Sequence, residues 1–153
     1  MNMSSSSTED MIPAYPKVDA EALGLLKSLI EDCYHERGKC SNFRDLSTDG
    51  SLRISPLLPR RVIDVGDTEN VSLRLHEPGS HERAHYTTLS HRWGNKLTFK
   101  TTMENVELLR EKIEFDALPL LFKNAITVTR ALNIRYLWVD AICIIQDNHS
   151  DWL

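Results

Sequence analysis

The chain has 153 residues, 41% of them hydrophobic, and a formal net charge of −4. That length suits one modest domain, and the acidic balance excludes a general attraction to nucleic acid or anionic lipid. No apolar stretch approaches the roughly 20 residues of a membrane span, and three cysteines without an export signal point to reduced thiols and a cytoplasmic protein.

Residues 1–17 read as a disordered lead, with a serine tract followed by Pro13 and Pro16. This lead has neither the basic n-region nor the apolar h-region of a secretory signal. An extension made of a helix and a hairpin follows over 18–84. Ala22, Leu23, Leu25, Leu26, Leu29, Ile30 and Cys33 recur at helical spacing. They predict a helix over 19–37, with Asp19 as N-cap, Gly38 as stop, and one apolar face that must dock on something. The run Leu57-Leu58-Pro59-Arg60-Arg61-Val62-Ile63-Asp64-Val65 contains a short strand. Residues 71–75 alternate apolar and polar, as a half-buried strand does. The polar linker 66–70 makes the two a hairpin, and 76–84 is a loop carrying Pro78-Gly79.

Residues 85–153 form the next unit. A strand is predicted at about 85–90, then a helix over 101–113 with Val106, Leu109 and Ile113 on its apolar side. Pro119 opens a clearer helix, because its missing N–H would be unpaired in the first turn anyway. Leu121, Phe122, Ala125, Ile126, Thr129 and Leu132 make that helix's buried face, and Asn133 can take the left-handed conformation that ends it. The strand over 136–140 is apolar on both faces apart from Asp140, as in an interior parallel strand. The fold class is therefore α/β: a partial parallel sheet with crossover helices, plus an N-terminal helix and a β-hairpin.

Strand, helix, strand puts two polar clusters at one sheet edge, and ligands of open parallel sheets bind beyond the carboxyl ends of the strands. The candidate set is Ser90, His91, Arg92, Trp93 and Gly94 from one strand, with Asp140, Cys143, Gln146 and Asp147 from the other. Asp140 is the candidate catalytic group, able to accept a proton or hold a ribose hydroxyl. Arg92 could bind phosphate, Trp93 could stack on a base, and Gly94 would let backbone approach a ligand. The plainer reading is an Asp140–Arg92 structural pair with core tryptophans. Cys143 with His91 and Asp140 could form a nucleophile set, but Ile142, Ile144 and Ile145 around it describe a small core hydrophobe. No metal site is predicted. Cys33, His35 and Cys40 lack the paired spacing of a zinc site, and His76, His81 or His85 would have to complete it.

Three blocks carry a family resemblance. They are Tyr86-Thr87-Thr88-Leu89-Ser90-His91-Arg92-Trp93-Gly94, then Leu118-Pro119-Leu120-Leu121-Phe122-Lys123-Asn124-Ala125-Ile126, then Tyr136-Leu137-Trp138-Val139-Asp140-Ala141-Ile142-Cys143-Ile144-Ile145-Gln146-Asp147. In this order they resemble the fungal heterokaryon incompatibility (HET) domain, with His91 where tyrosine is commoner and Asp151-Trp152 opening the family's next segment. The resemblance implies non-self recognition between fungal cells, innate immunity and programmed cell death, with action through a protein partner or self-association. It also implies a distant, TIR-like or flavodoxin-like topology. From that likeness comes the alternative of a TIR-like hydrolase for which NAD is substrate, with no resident cofactor. The family domain extends past Asp151-Trp152, so the expectation is a chain truncated within the domain and inactive as an enzyme, or a nonfunctional fragment.

Overall fold

The computed structural model describes residues 19–35, 55–66, 72–92 and 99–152, with only the backbone for residues 31 and 33–35. Helix α1 (Ala20–His35) starts where the periodicity begins. The Asp19 carboxylate accepts the Ala22 N–H at 2.7 Å, which satisfies one of the unpaired donors of the first turn. On α1 the Leu25 and Leu29 side chains face solvent, while Leu23, Leu26 and Ile30 are half-buried, so the expected docking face is covered only in part. The predicted stop at Gly38 lies outside them.

Strands β1 (Val62–Asp64), β2 (Arg74–His76), β3 (Tyr86–Leu89) and β4 (Tyr136–Val139) form one sheet in the order β2-β1-β4-β3. The pair β1–β2 is antiparallel, as a hairpin requires. However, β1 also pairs antiparallel with β4, with Ile63 opposite Leu137. The sheet is therefore mixed, a correction to the expected parallel one. Only β3–β4 is parallel among the described strands, with Tyr86 opposite Tyr136 and Leu89 opposite Val139. The reason is that β4, apolar on both faces, needs a neighbour on each side, and the nearest unpaired strand is the hairpin's.

Successive side chains alternate between faces. Ile63, Val65, Leu73, Leu75, Leu137, Val139 and Leu89 point to one face, and all but Leu89 are fully buried there. Helices α2 (Val106–Glu111) and α3 (Leu120–Ala131) cover this face through Val106, Leu109, Phe122 and Ile126. The predicted helix over 101–113 shortens to α2. Thr101 is wholly buried instead, its hydroxyl donating to the Ile142 carbonyl at 2.6 Å and its N–H to the Ala141 carbonyl at 3.0 Å. Pro119 sits just before α3 in extended backbone, and Asn133 takes φ 56° after its last turn.

The opposite face is covered by loops rather than helices. Leu57 bridges Arg83, the Leu58 N–H donates to the Glu82 carbonyl, and the Ala84 N–H donates to Pro56. Over this face His76 stacks on Tyr136 at 5.5 Å. Glu82 accepts from the Tyr136 hydroxyl at 3.1 Å and from His76 Nε2 at 2.9 Å. A short helix, α4 (Asp140–Cys143), follows β4 directly.

Candidate functional site

The parallel register sets Leu89 beside Val139, so the residues that follow, Ser90 to Arg92 and Asp140, emerge at one edge. His91 Nδ1 lies 3.7 Å from Asp140 Oδ1. That is beyond hydrogen-bond length. The imidazole stands edge-on to Phe122 at 5.3 Å and 88°. Both its ring nitrogens are buried with no hydrogen-bond partner among the described residues. Asp140 is the first residue of α4 and remains 30% exposed. Its Oδ1 accepts the Ala141 N–H at 2.7 Å. Ser90 and Arg92 are exposed. Trp93 and Gly94 lie outside the described residues. The edge therefore offers a carboxylate, a hydroxyl and a guanidinium to solvent, while the imidazole is covered.

The third block's polar residues have structural work. Gln146 Nε2 donates to the Asp140 and Ile144 carbonyls, both at 2.9 Å, and its N–H donates to the Thr101 carbonyl. Asp147 Oδ1 accepts the Met103 N–H at 2.8 Å. Together they tie the turn after α4 to the loop that leads into α2. Cys143 is buried in the core, where its sulfur accepts the Val139 N–H at 3.4 Å. Burial pushes the thiol up to about 12, against the smaller opposing effects of that N–H and of Arg61. A thiol so held is a packing group. The side chains of Cys33 and His35, and all of Cys40, lie outside the described side chains.

A second feature carries no motif. Strand β3 is at the sheet's edge, paired with β4 on one side only among the described strands. Beside it lies an apolar groove of about 280 Å³ between β3 and α3. Thr87, Leu89, Leu121, Ala125, Val128 and Thr129 are among its lining residues. The Thr87 and Thr129 hydroxyls hydrogen-bond across its floor at 2.6 Å, and Thr129 also donates to the Ala125 carbonyl at 2.8 Å. The strand carries no charge and no proline, the usual blunting devices of a free edge. The sequence signal for it was the pair Thr87-Thr88, polar on both faces of a strand that otherwise reads as interior.

Two ion pairs with buried carboxylates also escaped the sequence reading. Arg61 is 3% exposed; its Nη2 bonds Asp151 Oδ2 and its Nε donates to the Cys143 carbonyl at 2.9 Å. Arg135 grips Asp64 with two bonds of 2.9 Å. Each joins the segment around β1 to the segment around β4.

Residues 86–153 match the sequence model of the family described as heterokaryon incompatibility protein (HET). No curated protein and no solved structure matches the chain. No helix among the described residues is long and apolar enough to cross a membrane. The matched span holds the edge site, the groove and the whole β3–α3–β4 crossover; it covers less than half of the chain, and over it the chain is similar to the heterokaryon incompatibility family.

Proposed function

We propose that the chain is a fungal non-self recognition and cell-death signalling module that acts through protein association, and that β3 with its flanking groove is the contact surface. The observation that carries this reading is the uncharged edge of β3, paired on one side only among the described strands, beside an apolar groove. Such an edge accepts another chain's backbone or side chains, and groove-lined edges are a recurrent mode of partner recognition. Growth of a fungal host expressing the full chain tests it. Arrest by the wild type that is lost in Val128→Arg, with both proteins folded by circular dichroism, supports association. Equal arrest by both removes the groove from the account.

A second reading is a TIR-like hydrolase of NAD. Asp140, 30% exposed at the strand ends where β3 leads into the exposed Ser90 and Arg92, favours it. In that reading Asp140 would orient a ribose hydroxyl and Arg92 would hold a phosphate. The covered His91 nitrogens argue against a histidine base in this arrangement. NAD consumption by the purified chain, abolished in Asp140→Ala, would establish it; no consumption by a folded chain would end it.

A further inference from the structure

The family match begins at residue 86, and the sequence pattern divides the chain between residues 84 and 85. Both boundaries fall between β2 and β3, yet the packing runs straight across them. We infer that the β1–β2 hairpin is an obligatory part of the folded module. The span from residue 86 onward then has no stable fold without the hairpin, and the sheet edge keeps its geometry only while the hairpin is in place.

A domain boundary falls where few contacts cross, and each side keeps a core of its own. Neither condition holds between β2 and β3. Ile63, Val65, Leu73 and Leu75 are each at most 4% exposed, and they share one buried cluster with Ile126 and Leu137. Strand β1 sits between β2 and β4. Without it, β4 would present an unpaired edge, and Leu137 and Val139, now 1% and 0% exposed, would lose their cover. Backbone bonds cross as well. The Val65 N–H donates to the Arg135 carbonyl at 2.9 Å, and the Ile113 N–H donates to the Leu73 carbonyl at 2.6 Å. Taken alone, the matched span has under about 70 residues, a size at which a single core rarely supplies enough stability.

The hairpin also braces the surfaces on which both functional readings rest. Arg61, the residue before β1, donates from Nε to the Cys143 carbonyl at 2.9 Å. Cys143 is the last residue of α4, and Asp140 is its first. The carboxylate at the sheet edge is therefore held from the hairpin as well as from β4. Arg130, in the last turn of α3, donates from Nε to the Val65 carbonyl at 2.7 Å. That bond ties one wall of the groove to the end of β1. The inference does not depend on which surface acts, because the groove and the edge carboxylate both lie on elements that the hairpin supports.

Urea unfolding of the full chain tests the inference. The three tryptophans, Trp93, Trp138 and Trp152, all lie within the matched span, so their fluorescence reports that span. The substitutions lie outside it. Leu75→Ala, on β2, is expected to lower the folded-to-unfolded ratio read by tryptophan about thirtyfold or more, and Ile63→Val about two- to tenfold. Where Leu75→Ala leaves no transition to follow, the milder Ile63→Val decides. A tryptophan transition unmoved by Ile63→Val overturns the inference. Hydrogen exchange on the wild-type chain is the second readout. The Val65 amide, bonded to the Arg135 carbonyl, is expected to exchange with the same urea dependence as the slowest amides of β4, since one cooperative opening exposes both. A shallower dependence at Val65 also overturns the inference, because the hairpin would then open by itself while the matched span stayed folded.

Discussion

Asp151→Ala is expected to cost about 3–5 kcal/mol, the range for removing one partner of a buried ion pair. The Asp151 side chain is 1% exposed and Arg61 is 3% exposed, so solvent screens the pair little. Asp151 Oδ2 also accepts the Ile145 N–H at 2.7 Å. Removing the carboxylate leaves that amide unpaired in a residue only 6% exposed. A buried unmade bond of this kind costs about 1–3 kcal/mol. Arg61 keeps the Cys143 carbonyl at 2.9 Å and Glu77 at 3.5 Å, which holds the total within the stated range rather than above it. Domains of this size have about 5–15 kcal/mol of stability in all, so the variant loses about a fifth or more. Urea unfolding followed by tryptophan fluorescence measures the change, with an unaltered slope to confirm that the denatured state is the same. Arg60→Ala is the control. Arg60 also touches Asp151, at 3.1 Å, but is 74% exposed, and its loss is expected to cost under about 1 kcal/mol. The pair Arg61→Met with Asp151→Leu should recover the part of the Asp151→Ala loss that comes from the unmatched guanidinium, because two apolar groups leave no buried charge, while the Ile145 amide stays unpaired. An Asp151→Ala variant within about 1 kcal/mol of wild type would refute the reasoning, since the pair would then behave as an exposed one.

The same carboxylates set the acid limit. Burial alone would raise Asp64 and Asp151. Arg135 and the Gly66 N–H outweigh it at Asp64, and Arg61 and the Ile145 N–H outweigh it at Asp151, so both stay below the ordinary value of 3.8. A depressed folded-state value means that the stability is fully present above the unfolded value and is lost as pH falls through the folded one. Stability should therefore be flat from pH 7 to about 5 and fall below about pH 4, with Asp64→Asn flattening that fall; an acid limb unchanged in the variant would contradict this. Cys143 should resist maleimide at pH 8 in the native chain and react only after denaturation, since its thiol is buried and pushed up to about 12; rapid native labelling would place it at an open site. Thr129→Val should cost about 1–2 kcal/mol by urea unfolding, because Thr87 loses its 2.6 Å partner on the groove floor, and an unchanged midpoint would mean that the hydroxyl pair is idle.

The crossover was legible because its signals are local. The periodicity of Leu121, Phe122, Ala125, Ile126 and Thr129 marks a helix face, and Asn133 marks its end at φ 56°. The pairing of β1 with β4 was not legible. Val62-Ile63-Asp64 shows a strand but carries no information about which strand it meets more than 70 positions later. Arg61 and Asp151 are 90 positions apart, and nothing at either position distinguishes a buried ion from a surface one. At the sheet edge the sequence gathered Ser90, His91, Arg92 and Asp140, because parallel strands must end together, and His91 Nδ1 lies 3.7 Å from Asp140 Oδ1. It assigned ligand roles to Gln146 and Asp147, whose side chains in fact bond loop backbone at 2.9 and 2.8 Å. A polar cluster after a strand serves a turn as readily as a ligand. The groove beside β3 escaped because an edge strand is defined by a neighbour it lacks.

The most direct measurement sets Val128→Arg beside Asp140→Ala in the same fungal growth assay, at matched expression of the full chain. The account predicts that Asp140→Ala still arrests growth and that Val128→Arg does not. Arrest lost in Asp140→Ala and kept in Val128→Arg would contradict it, and would move the function from the groove to the carboxylate at the sheet edge.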